Sequence, residues 1–116
     1  MDLKIAGRKA IICASSKGLG KACAMALAAE GVDVWISARS SGPLQASCDE
    51  INARGFGRAT AIVADVTTEE GRDALFEACP DPDILVNNAG GPAPGNFRDW
   101  DQKDWFEAIN NNMYSA

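Results

Sequence analysis

The sequence predicts an α/β protein with a doubly wound parallel sheet, and three observations carry that prediction. Short apolar runs rich in β-branched residues alternate four times with segments of helical period. The links between them are short and marked by Gly or Pro, as at Glu30-Gly31, Arg54-Gly55 and Pro80-Asp81-Pro82. The stretch Lys9–Gly20 passes from a buried strand through a turn of small residues into a helix start. Alternation with short links implies parallel strands joined by right-handed crossovers, in the sequence order β-α repeated four times.

Strand one covers about Lys9–Ala14, where an unbroken apolar run with Ile11 and Ile12 suits burial on both faces. Helix one covers about Lys17–Ala29. Leu19, Ala22, Cys23, Ala26 and Leu27 recur at helical spacing and mark its expected apolar face. Glu30-Gly31 ends it. Strand two is Asp33–Ala38. Helix two opens at Gly42-Pro43, shows its apolar stripe at Leu44, Cys48 and Ile51, and closes at Arg54-Gly55. Strand three is about Arg58–Ala64. Thr67-x-x-Glu70 matches a capping box for helix three, which runs to about Cys79. Pro80 and Pro82 force a break. Strand four is Asp83–Asn87, followed by a loop rich in Pro and Gly. Helix four begins near Asp101 with Trp105, Ile109 and Met113 on one face.

Composition narrows the function classes. A chain of 116 residues is at most one domain. Its net charge is −5 and no Lys/Arg run exceeds two residues, which argues against a nucleic-acid partner. No apolar stretch is long enough for a membrane span, and Met1-Asp2-Leu3-Lys4 does not read as a secretion signal. Cys13, Cys23, Cys48 and Cys79 lack CxxC spacing and sit in apolar patterns, as small core residues do. The absence of histidine argues against a metal site or a His-based triad. The expected compartment is the reducing cytoplasm.

Ligands of such sheets bind beyond the strand C-termini, so four strand-end segments become the candidates. In Ala14–Gly20, Gly18 and Gly20 sit where free helix amides and the helix dipole favour an anion. On spacing alone, an ordinary helix-start turn fits equally well. At the end of strand two, the acid that usually holds a ribose diol about 20 residues after the glycines is missing. Ser37-Ala38-Arg39-Ser40 stands there instead. Arg39 is a fork donor suited to a 2′-phosphate, with Lys17 in the loop facing it; a solvated arginine is the plainer reading. Asp65-Val66 ends strand three, where the Asp could accept from an adenine amino group or cap a turn. Asn87-Asn88-Ala89-Gly90 ends strand four, and its small residues would let a ring or ribose lie on the main chain.

With these segments in place, the chain resembles the N-terminal half of a short-chain dehydrogenase/reductase. The residues that carry the likeness are Ala14-Ser15-Ser16-Lys17-Gly18-Leu19-Gly20, Asp65-Val66, Asn87-Asn88-Ala89-Gly90, and Asp104-Trp105 followed by Asn112. It is similar to the branch labelled 3-oxoacyl-(acyl-carrier-protein) reductase-like. The resemblance implies a Rossmann-type fold, with residues 1–116 as the dinucleotide-binding half and a partial strand order of 3-2-1-4. It also implies an NADP cofactor and hydride transfer between a nicotinamide and a small-molecule carbonyl or alcohol. Residues Ala14, Ser15, Ser16, Gly18, Leu19 and Gly20 would form the pyrophosphate loop. Lys17, Arg39 and Ser40 would face the 2′-phosphate. Asp65 and Val66 would flank adenine, and Asn87, Ala89 and Gly90 would lie beside the riboses. Asn112 would be the catalytic-relay Asn that anchors a water, with Asn110 and Asn111 as competing registers. A homo-oligomer is the expected assembly.

Two departures from the family pattern stand out. Ala14 replaces the first glycine of the Thr-Gly-x-x-x-Gly-x-Gly loop, with Cys13 in place of Thr; the alanine is tolerated if its φ is negative. The family's catalytic Ser and Tyr-x-x-x-Lys are not among the 116 residues, and Tyr114 has no Lys after it at that spacing. The chain is therefore read as a truncated cofactor-binding half, inactive alone. The alternative is a non-catalytic nucleotide-binding or interaction module. Strand four would be left as an open apolar edge, inviting self-association.

Overall fold

The computed structural model describes residues 1–116. It contains a four-stranded parallel sheet in the order β3-β2-β1-β4, formed by β1 (Lys9–Ile12), β2 (Asp33–Ala38), β3 (Ala59–Val63) and β4 (Ile84–Val86). This is the 3-2-1-4 order and the Rossmann-type arrangement implied above. The helices are α1 (Gly18–Ala29), α2 (Ser41–Ala53), α3 (Glu69–Ala78) and α4 (Gln102–Ile109). A 3₁₀ turn at Phe97–Asp99 precedes α4, and a π turn at Asn110–Tyr114 follows it.

Alternation along the strands sends side chains to two cores. Ala10, Ile12, Val34 and Ile36 pack with Ala24 and Ala28 of α1 and Leu44, Cys48 and Ile51 of α2. Ile11 and Cys13 point the other way, toward Ala64, Val66, Leu75 and Cys79 on the α3 side. Each fully buried Ile, Leu or Val contributes about 1.5–3 kcal/mol, so the paired central strands hold the fold. Their C-terminal ends converge on one edge of the sheet.

Several local expectations are corrected. The buried face of α1 is Gly20, Ala24 and Ala28, while Ala22, Cys23 and Ala26 are exposed and Leu19 is 81% exposed. Nearly every residue of this helix is small or apolar, so spacing alone could not choose a face. The close approach of Gly20 to the preceding turn chooses it. Cys23 is thus a surface residue, unlike the other three cysteines. The cap of α3 is Thr68, whose Oγ1 accepts from the Gly71 N–H at 3.1 Å. Thr67 instead gives its hydroxyl to Asp65. A reciprocal capping box does occur, between Asp101 and Asp104 at the start of α4. Trp105, Ile109 and Met113, the apolar face expected for helix four, are exposed.

Candidate functional site

The strand ends open into a groove of about 850 Å³. Its first wall is the β1–α1 turn, where Ala14, Ser16, Lys17, Gly18 and Leu19 line the space. Gly18 has φ +60° with nothing near the position of a Cβ, which leaves its backbone open to a ligand. Gly20 does not line the groove. A Cβ there would collide with the Ala14 carbonyl and lie 2.9 Å from Ser15 Cα, so glycine lets α1 pack under the turn.

Ala14 departs from the expectation of a negative φ: it stands at φ +47°, the left-handed region. A non-glycine residue there costs about 1–2 kcal/mol. Its N–H donates to Ser37 Oγ at 3.3 Å, and its carbonyl accepts from Asn88 Nδ2 at 3.0 Å. Ser15 is fully buried and faces away from the groove. Its Oγ donates to the Ile12 carbonyl at 2.8 Å and accepts from the Ser37 N–H at 2.9 Å. Ser47 of α2 adds a third tie, donating to the Ser16 carbonyl at 2.8 Å. Asn88 enters the sequence reading only as part of the Asn87-Asn88-Ala89-Gly90 segment, with no role of its own, and Ser37 and Ser47 are given no site role. For those two serines, a small polar residue inside an apolar strand or stripe was the only available signal.

The second wall comes from β2 and the start of α2: Ala38, Arg39, Ser40 and Pro43. Arg39 and Lys17 are exposed, and neither takes part in any of the ion pairs of the molecule, whose cations are Lys4, Arg8, Lys9, Lys21 and Arg54. The helices that start at these two walls also lack side-chain caps, whereas Thr68 caps α3 and Asp101 caps α4. Two sets of free helix amides therefore stand beside two unpaired cations, an arrangement that favours phosphate groups.

The third and fourth walls are Asp65, Val66 and Thr67 from the end of β3, and Asn88, Ala89, Gly90 and Gly91 after β4. Asp65 accepts from the Thr67 hydroxyl at 2.7 Å and the Thr67 N–H at 3.0 Å. Those bonds hold its carboxyl below the usual range, with a smaller pull from Arg39. Glu107 and Asn111 close the groove from the α4 side. Asn87 and Asn112 lie outside it, on an adjoining pocket of about 250 Å³ with Cys13, Asn111 and Ser115. Burial pushes the Cys13 thiol up, which leaves it a protonated core group rather than a nucleophile. Asn112 donates to the Ala108 carbonyl at 3.0 Å, and Asn110 reaches the Thr67 carbonyl at 3.4 Å. Asn111 alone of the three touches both spaces. The run sits in the π turn, a distortion common at functional sites.

Comparison with known proteins agrees with this geometry. Residues 8–116 match the model of the short chain dehydrogenase family. The chain is 36% identical over its whole length to an oxidoreductase of Bacillus subtilis (strain 168), YvaG, and covers 44% of that protein. It is 35% identical over 98% of its length to 7alpha-hydroxysteroid dehydrogenase of Escherichia coli (strain K12), covering 46% of that protein. Among solved structures it superposes on L-sorbose reductase from Gluconobacter frateurii, complexed with NADPH and L-sorbose. The TM-score is 0.92 at 30% identity, over 99% of this chain and 45% of that one. The chain thus spans less than half the length of these relatives. No helix is long and apolar enough to cross a membrane, and no group of three or more His, Cys, Asp or Glu could hold a metal ion. Fold, loop order and family match lead to one conclusion: this chain belongs to the short-chain dehydrogenase family.

Proposed function

We propose that the chain is the cofactor-binding half of an NADP-dependent oxidoreductase that acts on a small-molecule carbonyl or alcohol. The observation that carries the reading is the pairing of Lys17 and Arg39, both without ion-pair partners, with the uncapped starts of α1 and α2 on one groove. The donor set fits a dinucleotide phosphate. The amides from Gly18 onward would take the pyrophosphate, and Gly18 leaves room for it. Arg39, Lys17 and Ser40 would take the 2′-phosphate. Asp65 and Val66 would border adenine, and Ala89 and Gly90 the riboses. When bound, the nicotinamide supplies hydride transfer.

What this chain contributes is binding and orientation. The 116 residues hold no Tyr-x-x-x-Lys pair, so they reduce no carbonyl by themselves. In this reading Asn112, or Asn111 at the mouth of the groove, orders the proton-relay water. A cytoplasmic homo-oligomer completes it, supported by the exposed Trp105, Phe106 and Met113.

Titration of wild type and Arg39→Asp with NADPH and NADH tests the cofactor. A charge-assisted hydrogen bond contributes about 1.5–3 kcal/mol, so the variant should lose roughly ten- to a hundredfold in NADPH affinity and little for NADH. Equal affinity of wild type for the two cofactors would contradict the reading.

A further inference from the structure

Ala14 is the only non-glycine residue of the β1–α1 turn in the left-handed region, and both of its backbone polar groups are held from outside β1. Its N–H reaches the Ser37 hydroxyl on β2, at 3.3 Å. Its carbonyl receives Asn88 from beyond β4, at 3.0 Å. β2 and β4 are the two neighbours of β1, so the alanine is pinned from both sides. Ser37 is itself held in place. It is fully buried, its N–H donates to Ser15 Oγ at 2.9 Å, and its carbonyl accepts from the Ser15 N–H at 2.7 Å.

We propose that Ser37 is a positioning residue of the nucleotide cradle: together with Asn88 it holds Ala14 left-handed and so fixes the path of Ser15–Gly18. Released from these bonds, an alanine returns to negative φ and the turn that carries the Gly18 amide is redrawn. The Ala14 carbonyl also occupies the space that Gly20 leaves by lacking a Cβ, so the bracing and the packing of α1 depend on the same peptide orientation. A glycine at position 14 adopts positive φ freely, and the brace then has nothing to hold. Only the affinity arm of the test rests on the nucleotide reading above; the bracing is measurable without ligand.

The experiment compares wild type, Ser37→Ala, Ala14→Gly and the double variant in the full 116-residue chain. Thermal midpoints are read without ligand, and NADPH dissociation constants by fluorescence. In the alanine-14 background, Ser37→Ala should weaken NADPH by about tenfold, the worth of one hydrogen bond to a strained peptide, and lower the midpoint by several degrees. In the glycine-14 background both losses should fall to less than half. A hydroxyl that merely fills the core would give equal losses in both backgrounds, which would overturn the proposal, as would no loss in either. Should Ser37→Ala alone not fold, recovery of folded protein by adding Ala14→Gly supports the brace and failure to recover it overturns it. Wild type that binds no NADPH yet shows the midpoint suppression removes the nucleotide reading and leaves the brace standing.

Discussion

Around β1 and β2 the aliphatic side chains are covered. Ile11, Ile12, Val34 and Ile36 are buried, with Leu44 and Ile51 of α2 closing one face. Around β4 and α4 the relation reverses: α4 buries no residue, and Trp105, Phe106 and Met113 are 52%, 62% and 72% exposed. The groove draws on both regions. Its phosphate-favouring end, at Ser16–Leu19 and Arg39–Ser40, stands on the covered strands. The opposite end, at Asn88–Gly91, Glu107 and Asn111, stands on the open ones; beyond the pairing of β4 with β1, Asn88 ties it to the β1 turn and Asn110 ties it to Thr67. A rigid cradle with a loosely held second wall suits a ligand anchored by its phosphates.

The sharpest way to break this comparison is to truncate a side chain in each region. Ile36→Ala, in the covered core, should destabilise by about 2–5 kcal/mol. Phe106→Ala, on exposed α4, should stay within about 0.5 kcal/mol of wild type. Chemical denaturation of both variants gives the difference. Comparable losses would mean that α4 is packed as firmly as the central strands.

A smaller effect sharpens the picture at the groove itself. The folded carboxyl of Asp65 is held low, first by the Thr67 hydroxyl and amide and then by Arg39. A depressed carboxylate stabilises the fold above its unfolded pKa, and that stability disappears as pH falls through the folded value. Asp65→Asn should therefore be less stable than wild type at neutral pH, and the gap should close in acid below the usual carboxylate range. Thermal midpoints across that range measure it. A gap unchanged by pH would show that the hydrogen bonds do not depend on the charge.

The contrast between regions also explains which parts of the molecule were legible in the sequence. The alternation of strands with helices and the Leu44, Cys48 and Ile51 stripe follow from residue patterns, the strand order 3-2-1-4 follows from the family resemblance, and all three agree with the structure. The face of α1 does not, because Ala22, Ala24, Ala26 and Ala28 look alike until Gly20 meets the turn. The four groove segments were visible as strand ends. The ties behind them were not: Ser37 to Ala14, Ser47 to Ser16 and Asn88 to two carbonyls join residues 23, 31 and 74 or 75 positions apart. The left-handed Ala14 was hidden for the same reason, since the groups that hold it lie on neighbouring strands. Thr68 rather than Thr67 caps α3 because Asp65 claims the first threonine.

Amide hydrogen exchange with and without NADPH tests the central claim most directly, because it reads both regions and the ligand in one measurement. Without ligand, β1 and β2 should exchange most slowly and α4 among the fastest. With NADPH, protection should rise at residues 14–20 and 39–43 first, then at 65–67 and 88–91, with little change on the outer face of α3. Absence of added protection at 14–20 and 39–43, or slowest exchange in α4 before ligand, would contradict the account.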